Sequence, residues 1–149
     1  MFANISDKHF LAVSAAFAGI KTVFDTYIFS DWQFVLFLIV IILVDTVLGT
    51  YNAWKKKTLE SRAYARLFEK ILIYGGILIT SHVLISFTIS GTATGLFNWV
   101  DDLIFCTIMV REAISICENI GEIRPDLLNK KLLARLKKFD ESGEFKDLI

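Results

Sequence analysis

The chain has 149 residues, 16 acidic and 16 basic, for a formal net charge of zero. That balance leaves no overall basic field to hold nucleic acid. Hydrophobic residues make up 54% of the chain and the mean hydropathy is +0.54, above the roughly 45–50% apolar content of a soluble domain. The apolar residues gather in blocks of about twenty, the length that crosses a bilayer core of roughly 30 Å, and the single proline, Pro125, leaves those blocks free to run as helices. A cleavable signal peptide is not expected, because the N-terminus lacks a positive leader and the first block contains Lys21 and Asp25. Cys106 and Cys117 lie eleven positions apart on one helix, too far to bridge, and read as small apolar core residues.

Four helical segments are expected, at about 9–29, 32–54, 67–90 and 96–120. On the first, Phe10, Val13, Phe17, Ile20, Phe24 and Ile28 share one face, and Ala12, Ala15, Ala16 and Gly19 lie on the other. Small residues four apart let another helix approach closely in lipid: either another helix of the chain, the reading preferred here, or a neighbouring subunit. Lys21 and Asp25 leave two options for this segment, a span or an amphipathic helix in the interface. The second segment runs from Trp32 to Trp54, with aromatic residues at both headgroup levels.

The loop at 55–66 carries Lys55, Lys56, Lys57, Arg62 and Arg66, whereas the connections at 30–31 and 91–95 carry no Lys or Arg. The bias of basic residues toward the cytoplasmic side places 55–66 inside. The fourth segment then returns inward, and the C-terminus is cytoplasmic. The expected architecture is an all-α integral membrane protein: a membrane domain over 1–124 with three to four transmembrane helices, and a short basic amphipathic tail over 125–149. Its helix is expected to start at Pro125, with Leu128, Leu132, Leu136 and Phe139 on one face. It either packs on the protein or rests on anionic lipid.

Charges inside apolar segments persist where they pair or face water. Asp45 lies ten residues before Lys55, roughly 15 Å deep, with Gly49 and Asn52 on the same face. The fourth segment carries a wider polar stripe: Asp101, Arg111, Glu112, Ser115, Glu118, Asn119 and Glu122. Asp45, Lys70, Arg111 and Glu112 are expected in one inner-half cluster of two carboxylates and two cations. Lys70 is the first choice of partner for Asp45 and Arg111 the second. The cluster is either a buried network that fixes helix order or a face that turns to water when copies assemble; His82 reads as a core histidine. Neither His9 nor His82 has a second ligand at metal-binding spacing, and there is no nucleophile elbow or phosphate loop. No catalytic residue, cofactor or metal is expected.

Two stretches resemble the bacteriophage holin family, which includes toxin-secretion holins. In VDTVLGTYNAWKKKTLESRAYARLFEK the matching positions are Asp45, Gly49, Ala53, Lys55 to Lys57, Leu59 with Ser61, and Lys70. In REAISICENIGEIRPDLL they are Glu112, Ser115, Ile116, Glu118, Asn119, Gly121 and Pro125. The second stretch departs from the family pattern in its turn, where Gly121 comes early and Glu122-Ile123-Arg124 precede the proline. The resemblance implies a protein of the bacterial inner membrane that oligomerises and opens a lesion, through which a co-encoded muralytic enzyme or a toxin leaves. Its implied partners are the lipid bilayer and further copies of itself. The competing reading is a non-conducting structural or anchoring protein of a phage-derived injection or defence system.

Overall fold

A computed structural model describes the backbone of residues 3–58 and 62–149, and side chains over 9–58 and 65–149. The long elements are helices: α1 (Ala3–Tyr27), α2 (Trp32–Lys55), α3 (Arg62–Ser86), α4 (Asn98–Ile123) and α5 (Lys130–Ser142). A hairpin of β1 (Thr88–Ile89) and β2 (Thr92–Ala93) joins α3 to α4, and a single 3-10 turn, Phe145–Asp147, follows α5.

Each boundary has a local cause. Asp31 caps α2 by accepting from the Phe34 N–H at 2.9 Å, and Lys57, in the left-handed region at φ 56°, ends that helix. The third segment, expected to run to 90, stops at Ser86. Ser90 and Gly91 both have positive φ (52° and 78°) and join the two short strands in register Thr88↔Ala93, as a two-residue hairpin turn requires. Pro125 does not start the last helix, as expected, but ends α4. The residue before a proline is pushed out of the helical region, and Arg124 sits at φ −145°, ψ 84°. The cap of α5 is Asn129, whose side chain accepts from the N–H groups of Lys131 (3.0 Å) and Leu132 (3.3 Å). Gly143, at φ 67°, closes the other end.

Helix α4 is the centre of the bundle. It runs parallel to α2, from the stacked rings of Phe34 and Phe105 (4.0 Å between centroids) at one end to Asn52 and Glu122 at the other. Helix α3 runs antiparallel to both, with Ser81 donating to Asp101 at 3.3 Å near the hairpin end. Phe29, Leu38, Ile42, Leu78 and Ile108 form the core. Among the described residues, helix α1 meets the others near its C-terminal end, where the Thr26 carbonyl lies 3.1 Å from His82 Nε2 and Asp25 accepts from the Trp32 indole at 2.8 Å. Ala12, Ala15, Ala16 and Gly19 are exposed. A side chain at Gly19 would meet nothing, so the packing of this face against the rest of the chain, preferred from sequence, is not seen.

Among the described residues two helices are long and apolar enough to cross a membrane: Trp32–Lys55, and α3 from Ala65 to Ser86. Their outward residues, among them Leu36, Phe37, Val40, Phe68 and Leu72, are exposed, as suits contact with lipid chains.

The tail does not project away. Helix α5 doubles back along α4, with Lys137 on Glu118 (2.7 Å), Arg111 on Asp140 (2.7 Å) and Leu103 3.6 Å from where a side chain on Gly143 would begin. Phe139 is wholly buried in this seam. The segment after Gly143 folds over α5: Lys138 pairs with Asp147 at 2.5 Å, and Arg135 donates to the Ile149 carbonyl. Lys138 and then the Ser142 hydroxyl hold the Asp147 carboxyl below the usual carboxylate range.

Candidate functional site: a closed charge network between α2, α3 and α4

Lys70 reaches across from α3 and places its ammonium between two carboxylates, Asp45 of α2 at 2.7 Å and Glu112 of α4 at 2.8 Å. The Tyr74 hydroxyl, one turn along α3, donates to the second oxygen of Glu112 at 2.6 Å. The Asn119 amide donates to the second oxygen of Asp45 at 3.0 Å. Both oxygens of both carboxylates are therefore met. That matters because Glu112 is 1% and Asp45 7% exposed, and a partly satisfied network at such depth costs more than an apolar core. A charge at the bilayer centre costs about 2.5–3.5 kcal/mol on insertion scales; three charges locked together share that burden.

Toward the α2–α3 loop the network continues as a polar cleft. Asn52 donates to Glu122, which also takes Lys56 at 2.6 Å, and Lys55 lies 3.5 Å from the Ile123 carbonyl. Gly49, Ser115 and Arg66 line the same cleft. Gly49 packs against Asn119: a side chain there would begin 3.5 Å from its amide. That is ordinary contact, so Gly49→Ala should leave thermal unfolding in detergent micelles nearly unchanged. Gly49→Leu should push Asn119 off Asp45 and destabilise by about 1–3 kcal/mol.

Arg111, expected in the same cluster, is not in it. Adjacent residues of a helix point about 100° apart; Glu112 faces α3, so Arg111 is turned out to Asp140 of α5. The cluster thus holds two carboxylates and one cation rather than two of each. Glu118 likewise turns to α5, through Lys137. Most of the α4 stripe is occupied by partners within the chain: Glu112, Asn119 and Glu122 toward α2 and α3, Arg111 and Glu118 toward α5. Lys57 is exposed. Leu59, Ser61 and the Arg62 side chain lie outside the described residues. Tyr74 was not anticipated, although its position four residues after Lys70 puts it on the same face of α3. The pairing of Arg111 with Asp140 had no local signal.

A helical bundle with two lipid-length apolar helices, joined to a third by an ionic network, suits a membrane protein. The chain belongs to the bacteriophage holin family, whose model matches residues 23–141, from the end of α1 through α5. Comparison with curated proteins and with solved structures gives no match.

Proposed function

We propose that the protein is a holin of a bacterial inner membrane, which oligomerises there and opens a lesion that releases a muralytic enzyme or toxin. The observation that carries this reading is the family match across α2, α3, α4 and α5, joined to a site built wholly of ion pairs and hydrogen bonds. Helices α2 and α3 cross the bilayer, and α4 crosses with them, because it lies beside α2 along its full length. Helix α1 is the fourth span or an interfacial helix, and its exposed small-residue face is where another copy can seat closely. The α2–α3 connection and the helix ends beside it lie on the cytoplasmic side, held there by Lys55, Lys56, Lys57, Arg62 and Arg66. No catalytic step, cofactor or metal enters.

The test is inducible expression in bacterial cells. The membrane potential should collapse abruptly after a lag, and co-expressed muralytic enzyme should then lyse the culture. Sustained potential and viability at high expression would remove the holin reading. They would favour the non-conducting, anchoring role, which one observation supports: the principal charges of the α4 stripe are closed by partners within the chain.

A further inference from the structure

The holin reading needs a surface that meets water across the membrane, and the polar stripe of α4 is not free to supply it. Glu112 and Asn119 are turned inward to α3 and α2, and Arg111 and Glu118, though half exposed, are each paired with a residue of α5. The level of α5 supplies the alternative. Arg111 lies twelve residues before the end of α4, roughly 18 Å along the axis, so its partner Asp140 sits beside the middle of the span. The outward side of α5 near that level carries charge: Arg135, Lys138 and Glu141 are exposed, the first donating to the Ile149 carbonyl and the second paired with Asp147. The opposite side of the bundle is apolar, with Phe37, Val40 and Leu72 outward. In cross-section the bundle therefore has a lipid side and a wet side, and the wet side is α5.

We infer that, in the assembled form, copies of this chain turn their α5 sides toward a shared aqueous centre and their α2 and α3 sides toward lipid, so that α5 and not the α4 stripe forms the wall of the lumen. This rests on the holin reading. Lipid cannot cover charged groups at that depth without heavy cost, so a bundle inserted to the level of α2 must either enclose α5 with further copies or release it. Release would strip Arg111 and Glu118 of their partners within the span and bring the wholly buried Phe139 into water. Enclosure keeps every one of those contacts.

The test uses the full chain with Cys106→Ala and Cys117→Ala, reconstituted in carboxyfluorescein-loaded vesicles of phosphatidylethanolamine and phosphatidylglycerol. In one variant, Leu103→Cys and Ser142→Cys are joined by a short bis-maleimide carrying a cleavable disulfide, which fixes α5 on α4. Efflux is measured before and after cleavage. In a second pair, Glu141→Cys and Val40→Cys are treated with a charged, bilayer-impermeant thiol reagent. The expected result is equal efflux before and after cleavage, and several-fold slower efflux once position 141 is modified, with no labelling or effect at position 40. Efflux that starts only on cleavage overturns the inference, because α5 must then leave α4 for the lesion to open. So does efflux indifferent to modification at 141. Vesicles that stay tight even after cleavage would instead bring down the holin reading, and this inference with it.

Discussion

Lys70→Met should cost the bundle about 3–5 kcal/mol, the range for removing one partner of a buried ion pair. The lysine is the only cation in contact with Asp45 or Glu112 among the described residues. Without it two buried carboxylates face each other across the gap it filled. Tyr74 and Asn119 still donate, one bond each, which is too little to hold two anions at that depth. Replacing all three charges together, Asp45→Asn, Lys70→Met and Glu112→Gln, should recover much of the loss, because no unpaired charge then remains. Unfolding of the purified protein in mixed micelles by a denaturing detergent, followed by circular dichroism, measures both. A single variant as stable as the wild type would show that the network does not hold the three helices together.

Phe139→Ala should cost about 3–5 kcal/mol, the usual range for truncating a buried aromatic ring, but the loss should be local. Phe139 is fully buried, against Phe145 at 5.7 Å between ring centroids and in the seam with α4. Of the pairs around it, Lys137–Glu118 is exposed on both sides and Arg111–Asp140 on the arginine side, and surface pairs contribute about 0–1 kcal/mol each. The ring is therefore the main fastener of α5. Hydrogen exchange should rise over 130–149 while α2, α3 and the inner half of α4 stay protected. Exchange that rises evenly through the whole chain would mean α5 and the bundle unfold as one unit.

The sequence made much of the bundle legible, and its limits have physical causes. The α2 helix is readable because apolar residues run unbroken from Phe34 to Val44 between a capping Asp31 and the basic Lys55 to Lys57. The meeting of Asp45 with Lys70 follows from level, since both lie toward the α2–α3 loop on long apolar, antiparallel helices. Arg111 shows where level alone fails. It has the right level for the cluster, but a helix turns 100° per residue, and the neighbour Glu112 already faces α3. Its true partner, Asp140, lies in a segment that the sequence places beyond the membrane. The amphipathic pattern of α5 says that one face is buried without saying against what. The hairpin at 88–93 escaped for a different reason: two strands of two residues are too short to show alternation, and only the Ser90-Gly91 pair marks the turn.

As a holin, the role proposed for it, this chain would open a lesion in the membrane. Efflux of dyes of graded size from vesicles reconstituted with the purified wild-type protein tests it most directly. The account predicts efflux that rises more steeply than in proportion to the protein-to-lipid ratio, as assembly from several copies requires. Vesicles that stay tight at every ratio, with the protein folded and inserted, would contradict it.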